Sequence, residues 1–446
     1  METRTENLLS HVFPRRMNRA LPSVEKAEGK WIIDTKGNRY LDASGGALVL
    51  NVGHGREEIA RAVYDQIIRS DYVHPTLFAN PAVEELADGL ARHAPQGIER
   101  FYFLSSGSEA VETAIKLARQ IHLDSGRPHR IRLISRWKSY HGLTLGALSA
   151  MGRTAFRTPY APLLSEVIHI PPPYCLRCSY GLTYPECGCR CALALEEAIE
   201  NAGPETVSAF LAETVSGGTL AALPPPQEYF PLIREICDHY HVLLVLDEVM
   251  CGLGRTGRWF ASEHFSVIPD MVALGKGLGG GAIALSAVGV QADHYDAICK
   301  GSGSFVHGGT FTHHGPAAAA GSAVIRILER ENLVERVSRF GGIFGGKLKD
   351  GLADHPNVGD VRGLGFLWGI ELVKDKRTLK PFPRREGVAE RIWQRVFEKG
   401  VAIYTSTGLA GTDGDALLIG PSFIIEEEDM DVIVRAVGDA LRETLG

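Results

Sequence analysis

The 446-residue chain lacks a basic block, an internal repeat and any apolar run long enough to cross a membrane. Its 47 Lys and Arg residues are outnumbered by 53 Asp and Glu residues, which gives a net charge of −6. This balance argues against nucleic acids and anionic membranes as partners. The first residues, METRTENLLSHVFPRR, are too polar for a secretory signal. We therefore expect a cytoplasmic protein that binds neither nucleic acid nor membrane.

Cysteine is sparse except in the segment YCLRCSYGLTYPECGCRC. That segment holds Cys175, Cys178, Cys187, Cys189 and Cys191. Close thiols suggest a zinc site, whereas a surface insertion whose reduced thiols pack a tight loop is the alternative. Because the spacing departs from the common arrangement of two cysteine pairs, we assign no metal here, and the zinc alternative stays open. Either interpretation makes the segment a structural insertion.

Apolar runs alternate with helical patterns through the middle of the chain. Strands are predicted at RFYFL, IRLIS, VSAFLAE, HVLLVLDEV and DMVAL, and helices at SEAVETAIKLARQIH and EYFPLIREICDHY. This alternation is typical of an α/β protein with a mostly parallel sheet covered on both faces. We predict a large domain of this kind over 56–331, with the cysteine-rich insertion at 174–191. A smaller α+β domain is predicted from 1–55 and 332–446.

Polar residues follow four of the predicted strands at their ends. They are Ser105–Ser108, Glu213, Asp247 and Lys276. Ligands of open parallel sheets bind at the carboxyl ends of the strands. We therefore predict that these residues border a single ligand site.

The glycines around Lys276 allow two interpretations of that site. Gly275, Gly277 and Gly280 satisfy G-x-G-x-x-G, which predicts a nicotinamide dinucleotide, but this motif gives Lys276 no role and no helical pattern follows it. A lysine amine can instead condense with an aldehyde, and a carboxylate such as Asp247 can hold a pyridinium proton. A helix N-terminus after SSGS can bind a phosphate. Together these features describe pyridoxal 5′-phosphate (PLP), with a solvated lysine and an ordinary helix cap as the structural alternatives.

The chain from Trp31 to the C-terminus resembles the class III (ω-amino acid) aminotransferases, which are PLP-dependent enzymes of fold type I. The matching motifs are DASGGALVLNVGHG, SSGSEAVETAIKLARQ, SYHGLTLGALS, LAETVSGG, LDEVMCGLGRTG, ALGKGLGGG, FVHGGTF and DVRGLGFLWGIEL. The resemblance implies a homodimer with shared active sites. It also implies an amine or amino acid donor, ω-type donors being favoured, and a 2-oxo acid acceptor such as pyruvate or 2-oxoglutarate. A PLP-dependent racemase, aminomutase or decarboxylase on the same scaffold is the alternative.

The resemblance implies roles around the cofactor ring for five residues. Lys276 corresponds to the Schiff-base lysine, and Asp247 to the partner of the pyridine nitrogen. Val249 and Tyr140 are expected to pack on opposite faces of the ring, with His141 beside it. Lys276 and Asp247 are therefore the predicted catalytic pair.

The resemblance also implies where the phosphate lies. Ser106, Gly107 and Ser108 correspond to a phosphate cup, and Thr310 to a threonine that reaches the phosphate of the neighbouring subunit. Glu213 corresponds to an acid near the cofactor that can partner a mobile substrate-binding arginine.

The chain departs from the family pattern where a substrate carboxylate is often bound. Many relatives carry an arginine in R-x-x-P near the C-terminus, and Leu418 stands at that position here. A bidentate arginine is the usual way to hold a carboxylate. Either Arg153 or Arg157 replaces it, or the amino donor has no carboxylate.

Overall fold

The computed structural model describes residues 11–15 and 21–446. The strands are β1 Val24–Glu28, β2 Trp31–Asp34, β3 Arg39–Asp42, β4 Ile98–Leu104, β5 Arg132–Arg136, β6 Ile168–Ile170, β7 Val207–Glu213, β8 Leu243–Asp247, β9 Met271–Leu274, β10 Ser286–Gln291, β11 Val358–Leu364, β12 Leu367–Asp375, β13 Lys380–Pro381, β14 Val401–Ala402, β15 Tyr404–Ala410 and β16 Asp413–Ile419. The α-helices are α1 Gly45–Leu48, α2 Glu57–Arg69, α3 Pro81–Ala91, α4 Gly107–Asp124, α5 Leu145–Ala150, α6 Thr154–Arg157, α7 Arg190–Ala202, α8 Tyr229–Tyr240, α9 Ala292–Lys300, α10 Gly315–Arg330, α11 Leu333–Leu352, α12 Val388–Glu398 and α13 Glu427–Leu445. Short 3₁₀ helices include Lys276–Gly279.

The largest sheet has seven strands in the order β4-β10-β9-β8-β7-β5-β6. Strands β9, β8, β7, β5 and β6 are parallel neighbours, and β10 runs antiparallel between β4 and β9. The prediction of a mostly parallel sheet is therefore confirmed. The crossovers between its parallel strands carry helices such as α7 and α8, as right-handed β-α-β connections require.

Helices cover both faces of the central sheet, which explains why its strands are continuous apolar runs. Every residue of β7 and β8 is buried. Alternate residues of β8 face opposite sides: Val245 belongs to the core formed with α4, while Leu244 and Leu246 belong to the core formed with α7 and α8. Because successive side chains of a strand point to opposite faces of the sheet, one apolar run contributes side chains to both cores.

Two smaller sheets are formed by strands that precede β4 or follow β10 in the sequence. One has the order β1-β2-β3-β14, and the other the order β11-β12-β16-β15, with β13 on the side of β12. The pairing of β14 with β3 joins C-terminal to N-terminal residues. This pairing fits the prediction of a small domain built from both termini. The predicted boundaries between the two domains, at residues 56 and 331, stay a prediction. Residues 1–10 and 16–20 of that domain lie outside the described part.

The elements near the N-terminus follow from local sequence. Strands β2 and β3 form a hairpin around Lys36-Gly37-Asn38, and α2 carries Ile59, Val63 and Ile67 at helical spacing. Across residues 11–15 and 21–446, no helix is both long and apolar enough to span a membrane.

Two adjacent glycines of α11 provide a test of how tightly the core is packed. A Cβ at Gly341 would lie 2.5 Å from the backbone Cα of Gly365, whereas a Cβ at Gly342 would meet nothing within 4 Å. We expect Gly341→Ala to destabilise the fold by about 1–3 kcal/mol through overpacking. Gly342→Ala is expected to be neutral or to stabilise it by up to about 1 kcal/mol through helix propensity. Urea unfolding of both variants measures the difference, and equal midpoints would contradict this packing.

Candidate active site

The two acidic residues predicted at strand ends are direct neighbours in the sheet. Glu213 ends β7, Asp247 ends β8, and the two residues pair in the parallel ladder. Asp247 is in turn aligned with Ala273 of β9, and Lys276 follows β9 after Gly275. The register of three buried strands therefore brings these predicted residues to one edge, as expected.

Lys276 lies in a constrained position beside a cavity. Its φ of 44° is in the left-handed region, which is uncommon for a residue with a side chain and is found at functional sites. Burial lowers the pKa of its amine, and the nearby carboxylates of Asp247 and Glu213 oppose that shift. A lysine with a lowered pKa carries more of the neutral, nucleophilic amine at neutral pH.

The cavity has a volume of about 310 Å³, which lies at the small end of the range for ligand sites. Lys276 and the residues just before and at the start of α4 line it, together with the chain after the glycine loop: Val49, Ser105, Ser106, Gly107, Gly281, Ala282, Ile283, Ala284 and Leu285. A lysine amine and a helix N-terminus therefore face the same space. The dinucleotide interpretation fails here because the glycines lead into a 3₁₀ turn and then strand β10 instead of a helix.

Asp247 is held by two hydrogen bonds. Its Oδ1 accepts from the backbone N–H of Val249 at 3.0 Å, and its Oδ2 lies 2.8 Å from Nδ1 of His141. The other ring nitrogen of His141 lies 3.3 Å from the hydroxyl of Ser135. All of these side chains except Val249 are buried, so the carboxylate is fixed in direction. His141 was predicted here from the sequence, whereas Ser135 was not, because it lies in none of the recognised motifs.

The predicted phosphate cup coincides with the N-terminus of α4. Ser106 is the N-cap: its hydroxyl accepts from the backbone N–H of Glu109, whose carboxylate accepts from the N–H of Ser106 at 2.8 Å. The capping alternative is thus correct for Ser106. Ser108 does not cap the helix, and its hydroxyl accepts from the backbone N–H of Leu143 at 3.1 Å.

Because Gly107 has no side chain, Val249 can lie against the start of α4. A Cβ at Gly107 would lie 2.8 Å from Cγ1 of Val249, and one at Gly275 would lie 3.3 Å from the same atom. Val249 is predicted to pack against a cofactor ring. The two glycines therefore let this side chain lie between the start of α4 and the lysine loop. Ser286, which sequence reasoning also missed, donates from its hydroxyl to the Ser106 carbonyl at 2.8 Å.

Glu213 is buried and anchors Tyr140. Its carboxylate accepts hydrogen bonds from the backbone N–H of Tyr140 at 3.1 Å and of Gly217 at 2.9 Å. Burial raises the pKa of Glu213, and the neighbouring charge of His141 opposes the shift. Burial also raises the pKa of the Tyr140 phenol. The hydrogen bond from its backbone N–H to Glu213 thus holds Tyr140 next to the carboxylates of Glu213 and Asp247.

Thr310 is not among the residues that line the Lys276 cavity. It lies in the loop before α10 and is exposed. Its expected contact with the phosphate of a neighbouring subunit stays a prediction.

The arginine candidates for a substrate carboxylate differ in their surroundings. Leu418 is fully buried in β16. Arg157 donates to the carbonyls of Ser149 and Met151 and therefore supports its own loop. Arg153 donates to Thr407 and lies close to Tyr140. Of the two candidates, only Arg153 is connected to Tyr140, through the ring of Phe156.

The cysteine-rich insertion forms a separate small cavity. All five of its cysteines are unbridged, and burial raises the pKa of Cys189 to about 11 and of Cys191 to about 12. Without a metal, these two thiols are therefore protonated at neutral pH. Over residues 11–15 and 21–446, no three His, Cys, Asp or Glu side chains are grouped to hold a metal ion.

The residues around Lys276 fit PLP. A lysine with a desolvated amine provides the covalent attachment point, Asp247 provides an acceptor for a ring-nitrogen proton, and α4 provides free amides for a phosphate. The fold and this site define a PLP-dependent enzyme of fold type I.

Comparison with known proteins identifies the family. The family model described as aminotransferase class-III matches residues 12–441. The putrescine–pyruvate aminotransferase of Pseudomonas aeruginosa is 35% identical over 424 residues, covering 94% of this chain and 90% of its own. The chain therefore belongs to the class III aminotransferases, which use PLP. This assignment favours transamination over the racemase, aminomutase or decarboxylase alternative.

Solved structures agree with this assignment. An (S)-enantioselective ω-transaminase from Thermomicrobium roseum is 33% identical, with a TM-score of 0.92 over 100% of this chain and 98% of its own. A PLP-bound amine transaminase from an uncultivated Pseudomonas species is 31% identical, with a TM-score of 0.90 over 98% of this chain and 97% of its own. Similarity at this level confirms the predicted fold.

Gly107 provides a test of the cup. In Gly107→Ala the new methyl group must displace Val249, so we expect PLP to dissociate about 10-fold more readily, in line with a typical overpacking cost of 1–3 kcal/mol. Equilibrium dialysis of PLP against both forms measures this change. Gly218→Ala is the control, because its Cβ would approach no atom closer than 3.9 Å. Unchanged PLP affinity in Gly107→Ala would contradict the tight contact with Val249.

Proposed function

We propose that the chain transfers an amino group from an amine or amino acid, preferably an ω-type donor, to a 2-oxo acid such as pyruvate or 2-oxoglutarate. The observation that carries this proposal is that Lys276, whose amine is influenced by the carboxylate of Asp247, lines one cavity together with the start of α4. The names of its relatives, a putrescine–pyruvate aminotransferase and an (S)-enantioselective ω-transaminase, support this choice of donor and acceptor.

Lys276 has two tasks in this proposal. It would hold PLP covalently, and its Nζ, once free, would be the base that removes the proton from the substrate carbon. PLP would supply an electron sink for the charge left on that carbon. The lowered pKa of Lys276 supports the second task, because a base must be neutral at the working pH.

Asp247 would keep a proton at the ring nitrogen of PLP, and His141 holds Asp247 in position. Tyr140 and Val249 would pack on opposite faces of the ring. The backbone amides of Gly107 and Ser108 at the start of α4, with the hydroxyl of Ser106, would bind the phosphate. Glu213 holds the backbone of Tyr140.

A homodimer completes the site in this proposal. Val306 is 79% exposed and Phe311 57% exposed on either side of Thr310. Large apolar side chains on the surface indicate an interface with another molecule. A second copy of the chain that covers them would bring Thr310 of the partner subunit to the phosphate. The same proposal includes a large domain over 56–331 and a small domain formed by 1–55 together with 332–446.

A single turnover distinguishes transamination from racemisation. PLP-loaded enzyme mixed with a donor amine and no acceptor is expected to release one carbonyl product per site and then stop, because the amino group stays on the cofactor. Adding pyruvate should return the enzyme to its starting absorbance and release alanine. Product analysis by mass spectrometry measures both steps. Continued inversion of a chiral donor without carbonyl release would favour the racemase alternative.

Removing Lys276 tests its assigned role. Lys276→Ala is expected to lower the rate of donor deamination by about 10³-fold or more, since both the covalent attachment point and the base are lost. Lys300→Ala is the control, because Lys300 is an exposed lysine at the end of α9. Stopped-flow absorbance of the PLP-loaded proteins gives the rates. Wild-type rates in Lys276→Ala would assign the reaction to another residue.

A further inference from the structure

Arg153 lies in a layer of aromatic side chains that leads to the carboxylate cluster. It precedes α6 as its N-cap residue, and its guanidinium carbon lies 4.6 Å from the ring centre of Phe156. The Phe156 ring lies 6.3 Å from that of Tyr140 in an edge-on arrangement. The backbone of Tyr140 is bonded to Glu213. Two aromatic rings therefore separate the Arg153 guanidinium from Glu213.

The guanidinium of Arg153 has an N–H donor without a hydrogen-bond partner. Its Nη2 donates to the carbonyl and the hydroxyl of Thr407, at 3.1 and 2.9 Å. Its Nε is buried without a hydrogen-bond partner. None of the ion pairs among residues 11–15 and 21–446 includes Arg153. By contrast, Arg362 is buried with Asp360 and Glu371 as partners.

The charge of Arg153 is not balanced by a carboxylate. Burial lowers the pKa of Arg153; the phenols of Tyr404 and Tyr140 oppose this shift, and the charges of Arg384 and Arg15 add to it. Arg384 is already paired with Glu390 and Asp415, whereas Arg15 is exposed. A partly buried cation without a carboxylate partner is costly. A ligand that brings its own carboxylate would relieve this cost.

The neighbouring side chains suit a carboxylate as well. The phenols of Tyr140 and Tyr404 both interact electrostatically with Arg153, and a phenol can donate a hydrogen bond to a carboxylate oxygen. Arginine combined with hydroxyl donors is a common arrangement for carboxylate recognition. Arg157, four residues further on, has its guanidinium engaged by loop carbonyls and is unsuited to this role.

We propose that Arg153 binds the carboxylate of the 2-oxo acid and amino acid substrates, with Thr407 holding its guanidinium in place. This inference rests on the function proposed above. It makes Arg153 a specificity-determining residue: substrates with a carboxylate gain from it, and simple amines do not.

Paired substrates that differ only in the carboxylate test this proposal. L-Alanine and isopropylamine differ by a carboxylate in place of a methyl group, and pyruvate and acetone form the corresponding pair of acceptors. In Arg153→Met, kcat/KM for alanine and pyruvate should fall about 10- to 100-fold, the usual effect of losing a charge-assisted hydrogen bond. The values for isopropylamine and acetone should change less than about 3-fold. Arg153→Lys should lie between the wild type and Arg153→Met.

A binding readout separates substrate recognition from general damage. Propionate is an unreactive carboxylate, and its inhibition constant against the isopropylamine reaction should rise at least about 10-fold in Arg153→Met. Arg132→Met, at an exposed arginine of β5, is the control and should leave all of these values unchanged. Arg153→Gln replaces Arg153→Met if the latter does not retain PLP.

The outcomes distinguish the two proposals. If no donor converts the wild-type enzyme, whether alanine, isopropylamine or an ω-type amine, the proposed function itself is wrong. If the wild type reacts but Arg153→Met affects both members of each pair equally, or neither, only the role of Arg153 is overturned.

Discussion

The site depends on the register of three buried parallel strands. Because Glu213 pairs with Asp247 across β7 and β8, and Asp247 aligns with Ala273 of β9, the chain reaches Lys276 beside both carboxylates. Each of these strands is buried on both faces. A shift by one residue would exchange the residues that face α4 with those that face α7 and α8 and would turn Asp247 away from its partners. Apolar packing of the sheet therefore determines the geometry of the polar site.

Burial of charge next to Lys276 is tolerated because each carboxylate is hydrogen-bonded. Asp247 accepts from the N–H of Val249 and contacts His141, while Glu213 accepts from the N–H groups of Tyr140 and Gly217. These donors stabilise the two acids without water and orient them before any ligand binds. The same acids partly offset the effect of burial on the Lys276 amine. The reactivity of Lys276 is therefore set by a balance between desolvation and two fixed negative charges.

The parts of the site that follow from local sequence were predictable, and the parts that depend on long-range packing were not. Lys276 and Asp247 follow apolar strands directly, so the rule for strand ends was sufficient to bring them together. The contacts of Ser135 with His141 and of Ser286 with the Ser106 carbonyl have no signature in the sequence, because single serines carry no distinctive pattern. The Arg153–Thr407 contact joins residues far apart in sequence. The role of Thr310 needs a second chain, which no single-chain pattern describes.

Identification of the lysine that carries the cofactor is the most direct test of this account. The PLP-loaded protein is reduced with borohydride, digested with protease and mapped by mass spectrometry, so that the modified peptide identifies the amine that held PLP. The account predicts one modified peptide, with the added mass on Lys276. Modification of another partly buried lysine such as Lys138, with Lys276 unmodified, would contradict it.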